Sequence, residues 1–300
     1  MQISDPEVLA YIDACNRLFP ETSGERHIAV QRRDYERMAN AFRAPRPEGL
    51  AIEDTIFRGP AGFGQARRYW PANPLETRVL FFHGGGFSLG SVDSHDSICA
   101  EIAARTDCEV ISINYRLAPE HPHPAAYADA LAAVATFGDR PLIVAGDSAG
   151  GNIAAALGLT GDARIVGQVL IYPDLGGISL ELPSYAEKAE APLLTTSDVR
   201  KYRRGRCEQK PPERDETFDP LMAMDFESAA PCFISAAEHD PLRDDGPEYV
   251  LRLTEAGIAA EVVVEEELPH GHLRARHKVA RAGAAFGRIC DAITRMATAD

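Results

Sequence analysis

Positive charge is scarce in this chain. Its 300 residues carry 31 Lys plus Arg against 45 Asp plus Glu, a formal net charge of −14. A surface of that sign repels nucleic acid and anionic membranes, so neither is an expected partner. No apolar run approaches the roughly 20 residues that a bilayer-spanning helix needs. The opening residues, Met1 to Glu7, show neither the basic nor the apolar region of a secretory leader, and the expectation is a cytoplasmic protein. The six cysteines (Cys15, Cys99, Cys108, Cys207, Cys232 and Cys290) are scattered and form no C-x-x-C pair. That spacing argues for free thiols rather than a disulfide framework. Internal repeats and low-complexity tracts are missing as well. What remains, 45% hydrophobic and 25% charged residues, is ordinary for a globular enzyme. The length permits one large α/β domain with a small accessory piece.

Residues 1–47 read as two amphipathic helices. Ser4 with Glu7 predicts a capping box, and Val8, Ile12, Cys15 and Phe19 follow at helical spacing. Pro20 to Gly24 predicts a break, and Ile28, Tyr35, Met38 and Phe42 a second helix. This piece is either a cap or an outer layer. Strands are predicted at Ile52 to Arg58 and Gln65 to Trp70, joined by a Gly- and Pro-rich hairpin link, then at Arg78 to Phe82. Strands and helices alternate from there: Glu109 to Asn114, Pro141 to Ala145, Ile165 to Tyr172, Cys232 to Ala237 and Glu261 to Glu265 are the strands. Helices are predicted at Ala125 to Phe137, after Ser148, near Pro247 to Glu255 and from Arg276 to Met296. The pattern predicts an α/β fold: a mostly parallel eight-stranded sheet with helices on both faces and an antiparallel edge. Residues 176–227 interrupt it with five prolines and no strand, and an insertion this long predicts a lid with helices near Ser184 to Ala189 and Thr196 to Arg204.

The chemistry centres on Gly146-Asp147-Ser148-Ala149-Gly150. An apolar strand precedes it and a small-residue helix follows. A nucleophilic hydroxyl must stand clear of the sheet, and a sharp strand-to-helix turn achieves that. Side chains two residues to either side would collide, so glycine is required there. The helix N-terminus and the Ala149 N–H then face an oxyanion formed at the serine.

His83-Gly84-Gly85-Gly86-Phe87 follows the third strand. Three glycines leave room for an acyl group and let successive N–H groups converge. Gly84 and Gly85, with Ala149, are the assigned oxyanion donors, each worth about 3 kcal/mol of transition-state stabilisation. His83 reads as a structural residue. A serine needs a base, and the base an orienting carboxylate. Asp240 and His270 stand at the ends of the strands that begin at Cys232 and Glu261, in the order Ser, Asp, His. Asp244 or Asp245, one turn on, is an alternative acid. His272 offers a second imidazole, but no third ligand completes a metal site. His239, His121 and His123 read as surface or loop residues. Cys207 lies in a basic stretch that could lower its pKa, without an oxyanion loop to serve it.

With these motifs assembled, the chain resembles the hormone-sensitive-lipase-like esterases, bacterial family IV of the α/β-hydrolase superfamily. The matching segments are His83 to Phe87, Tyr115 to Pro122, Gly146 to Asn152, Asp240 to Asp244 and His270-Gly271. The resemblance implies the α/β-hydrolase fold, a triad of Ser148, Asp240 and His270, and hydrolysis of short to medium acyl esters without a cofactor or metal. It implies a cap built from residues 1–47 and 176–227 on a catalytic domain of 48–175 and 228–300. Candidate pocket residues are Phe87, Asp147, Tyr172, His272, Arg203 and Arg204. The chain departs from the family in carrying His272 where phenylalanine is usual, and in its basic cap. Both departures suggest a substrate with a polar or anionic group contacted by cap arginines. The partner implied is a small-molecule ester. An amidase, arylformamidase or O-deacetylase on the same triad, and a non-catalytic small-ligand receptor, stand as alternatives. A homodimer is left open.

Overall fold

The computed structural model describes residues 3–20, 25–208 and 210–299. Its strands are β1 (Ala51–Gly59), β2 (Gly62–Trp70), β3 (Arg78–Phe82), β4 (Glu109–Asn114), β5 (Leu142–Asp147), β6 (Ile165–Ile171), β7 (Cys232–His239) and β8 (Ala260–Pro269). They form one sheet in the order β1-β2-β4-β3-β5-β6-β7-β8. β1 pairs antiparallel with β2, and β2 with β4; every other pairing is parallel. The helices are α1 (Pro6–Leu18), α2 (Ile28–Ala41), α3 (Asp96–Thr106), α4 (Ala125–Phe137), α5 (Ala149–Gly158), α6 (Ser184–Glu187), α7 (Thr196–Gly205), α8 (Asp245–Glu255) and α9 (Ala280–Ala297).

The central strands are apolar throughout because both faces are covered. In β3, Leu80 and Phe82 join a core with α4, α5 and α8, while Val79 and Phe81 join a second core with α3 and α9. β4 and β5 alternate in the same way. Each fully buried side chain of this kind contributes roughly 1.5–3 kcal/mol. The sheet is therefore a rigid support, and the ends of β3, β5, β7 and β8 hold the residues described below.

The sequence pattern predicts no helix at α3. His95 at its N-terminus makes no side-chain capping bond, and nearly all its residues are buried, so neither a cap nor an apolar stripe marks it. The cap of α1 also differs. Asp5, not Ser4, accepts from the Glu7 N–H at 2.9 Å, while the Ser4 hydroxyl donates to Glu267 at 2.7 Å. Ser4 is drawn off by the tail of β8, so Asp5 takes the capping position. The predicted break at Pro20 to Gly24 lies mostly outside the described residues. His239 is buried at the end of β7 rather than on the surface.

α1 and α2 pack on the start of α9 and the end of β8 as a third core. The described residues of 176–227 form no strand. They carry α6, α7 and two 3-10 turns, and Tyr185, Leu194 and Val199 cluster with Leu242. Among the described residues no helix is long and apolar enough to cross a membrane.

Candidate active site

Ser148 ends β5 and opens α5 with φ 55° and ψ −115°. Such a backbone costs of the order of 1–3 kcal/mol and persists only where the surroundings enforce it. They do so tightly: a Cβ on Gly150 would stand 1.9 Å from the Phe82 carbonyl oxygen, and one on Gly146 2.5 Å from Gly150. The turn projects the Ser148 hydroxyl off the sheet.

His270, just past β8, brings Nε2 to 3.0 Å from Ser148 Oγ. Its Nδ1 lies 2.6 Å from Asp240 Oδ2. Asp240 is fully buried after β7, and its other oxygen accepts from the Leu242 N–H at 2.9 Å. One carboxylate oxygen is thus fixed by backbone and the other by the imidazole, which orients the ring. The alternative acids point elsewhere. Asp244 accepts from the Ser184 N–H at 2.9 Å, and Asp245 from those of Leu175 and Gly177.

The oxyanion loop corrects one expectation. The Gly84 N–H donates to Asp147 Oδ1 at 2.8 Å and is not available to a substrate. Asp147 thereby anchors the loop rather than presenting its charge to a ligand. Its carboxyl is buried, which favours the neutral form. His95, Arg274 and the Gly84 amide outweigh burial and hold it well below the usual carboxylate range. Among the described residues the N–H groups of Gly85 and Gly86 donate to no partner, and both residues line the cavity beside Ser148 and Ala149. Gly85 has φ 127° and Gly86 φ 58°, a left-handed pair that glycine alone adopts readily. Gly86 escaped the sequence reading because three identical glycines carry no mark of their register. His83 is structural: its ring stacks on Tyr115 at 4.3 Å, and burial lowers its pKa to about 3.

A cavity of about 300 Å³ opens over Ser148 and His270. α1 and α2 contribute Tyr11, Cys15, Tyr35 and Met38; the inserted segment contributes Leu193, Leu194, Val199 and Tyr202. Of the six candidate pocket residues, Asp147 and Tyr172 line it. The other four do not. Phe87 is buried beneath the Arg206 guanidinium, whose carbon lies 3.6 Å from the ring centroid. Arg203 is buried in an ion pair with Asp219 at 2.5 Å, and Arg204 is exposed on α7. His272 is buried, with Nδ1 3.1 Å from the Pro269 carbonyl oxygen and its ring edge-on to Tyr172. Burial lowers its pKa to about 3, so it is a neutral packing residue. Cys207 does not have a lowered pKa either; partial burial raises it despite Arg206 and Arg203. From the sequence Tyr35 reads only as part of a helix face, and Tyr11 and Arg274 belong to no motif that singles them out.

A parallel sheet with a serine at a strained strand-to-helix turn, a histidine and a buried aspartate defines an α/β hydrolase. A family model described as alpha/beta hydrolase fold matches residues 79–274. Esterase LipI of Mycobacterium tuberculosis is 37% identical over 289 residues, covering 90% of this chain and 88% of that protein. Carboxylesterase NlhH of the same organism is 38% identical over 76% of this chain and 77% of its own length. An ester hydrolase from the Lake Arreo metagenome, solved with a bipyridine phosphonate derivative, superposes with a TM-score of 0.89 at 32% identity over 98% of both chains. The chain belongs to the α/β-hydrolase family, in its hormone-sensitive-lipase-like branch.

Proposed function

We propose that the protein is a serine carboxylic ester hydrolase for short to medium acyl esters, working through an acyl-enzyme on Ser148. The observation that carries this reading is the continuous contact Asp240–His270–Ser148, at 2.6 and 3.0 Å, opening onto a cavity floored by Gly85, Gly86 and Ala149. His270 Nε2 takes the proton from Ser148 Oγ as that oxygen attacks the ester carbonyl. Asp240 holds Nδ1 protonated and stabilises the imidazolium. The oxyanion rests on the N–H groups of Gly85, Gly86 and Ala149. His270 then protonates the leaving alcohol, and water repeats the sequence to release the acid. The carboxylesterases and esterases among its relatives support this reaction class. A cavity near 300 Å³ favours small substrates. Residues 1–47 and 176–227, which both line it, act as the cap over the catalytic domain. An intact triad weighs against a receptor without activity.

Hydrolysis of 4-nitrophenyl esters from acetate to dodecanoate tests the proposal, with Ser148→Ala in parallel. The expected rate peaks at short chains and disappears in the variant. Equal rates in both proteins would overturn it.

A further inference from the structure

One buried cation beside Ser148 forms no salt bridge among the described residues. Arg274 lies four residues past His270, in the 3-10 turn His272–Ala275, where its N–H donates back to the Gly271 carbonyl. It is 8% exposed and lines the same cavity as Ser148 and His270. Its guanidinium carbon sits 4.8 Å from the Tyr35 ring centroid, and Nη2 donates to the Tyr35 hydroxyl. Nε is buried with no partner among the described residues. The other buried arginines are satisfied. Arg78, Arg203 and Arg276 hold Glu109, Asp219 and Glu101, and Arg206 donates to the carbonyls of Phe218 and Thr217. Of the carboxylates, the one that acts most on Arg274, after the Tyr35 and Tyr11 phenols, is Asp147, already engaged by the Gly84 amide and 3.1 Å from His95 Nε2. Asp198, also on the cavity wall, closes the capping box of α7.

A guanidinium is charged at every working pH, and burying it unpaired is costly. An anion entering the cavity would offset that cost. The planar fork of arginine fits a carboxylate, and the Tyr35 hydroxyl, which accepts from Arg274, keeps its own proton to donate, whereas that of Tyr11 goes to the Gly271 carbonyl at 2.7 Å. Tyr11 flanks the same spot: the Cβ position on Gly271 lies 3.8 Å from both Arg274 Nη1 and the Tyr11 hydroxyl.

We propose that Arg274 binds a carboxylate carried by the substrate, so that the preferred esters are monoesters of short dicarboxylic acids. This rests on the ester-hydrolase reading above and names its substrate class. Water adds across the ester bond, releasing the dicarboxylate and the alcohol. The anionic selectivity first attributed to the cap arginines thus moves to the turn that follows the base.

The test compares kcat/KM for ethyl hydrogen succinate and its glutarate and adipate homologues with isosteric neutral esters, in which an isopropyl group replaces the carboxylate. The native protein is expected to prefer the charged series by about tenfold or more. In Arg274→Gln that ratio collapses, chiefly through KM, and Arg274→Lys restores part of it. A second measurement leaves Arg274 intact: calorimetry of Ser148→Ala with glutarate and with butanoate, where only glutarate binds. Equal use of both series by the native protein, an unchanged ratio in Arg274→Gln, or no glutarate binding would overturn the assignment. Neutral esters turned over through Ser148 without a charge preference would refute this inference alone. No ester turned over in either series would refute the hydrolase reading itself.

Discussion

The Gly84 amide donates to Asp147 Oδ1 at 2.8 Å, and this bond decides which loop N–H groups remain for substrate. Asp147 adjoins Ser148 in the chain, so one carboxylate ties the oxyanion loop to the nucleophile's turn. Asp147→Ala is expected to lower kcat at least about tenfold with little change in KM, because the donors lose their fixed positions. Steady-state kinetics on 4-nitrophenyl acetate checks this; a native kcat would refute the anchoring role.

The same carboxylate predicts an acid limb in stability. Its folded pKa is depressed below the unfolded value, so ionisation favours the folded state. That stabilisation is complete above the ordinary carboxylate range and is lost as pH falls below about 4. Thermal melts between neutral and acid pH should show a steep fall in the native protein and a shallower one in Asp147→Asn.

Much of this was legible in the sequence, for reasons that particular residues make plain. The apolar run ending at Ala145 and the glycines around Ser148 have one sterically allowed arrangement, so the turn could be read from types and spacing. Gly84 against Gly86 could not, because their difference lies in which amide Asp147 captures, a contact made across 63 residues. The arginines of residues 176–227 show the complementary failure. Arg203 looked like a charge free to meet a ligand until Asp219, sixteen residues on, was found paired with it. Arg274 belongs to no motif, and its burial against Tyr35 is likewise invisible in the sequence. Pairing between distant side chains is set by packing and leaves no local pattern.

Gly150 is the tightest approach in the turn, with a Cβ position 1.9 Å from the Phe82 carbonyl oxygen. Both partners are backbone, so neither can swing aside. Gly150→Ala is expected to destabilise by about 3 kcal/mol or more. Urea denaturation reads this directly, and a change under about 1 kcal/mol would show that the turn relaxes easily.

Arg203→Ala leaves Asp219 buried without its cation. A loss of about 3–5 kcal/mol in unfolding free energy is expected. The ratio of charged to neutral ester turnover should not move, since Arg203 does not line the cavity. A shift in that ratio would return selectivity to the arginines of residues 176–227.

Covalent capture of the nucleophile tests the central claim most directly. The protein, with Ser148→Ala beside it, is treated with diethyl 4-nitrophenyl phosphate, and intact mass is followed by peptide mapping. A single diethylphosphoryl group on native protein, mapped to Ser148, and none on the variant, is expected. An unlabelled native protein, or the same label on Ser148→Ala, would contradict it.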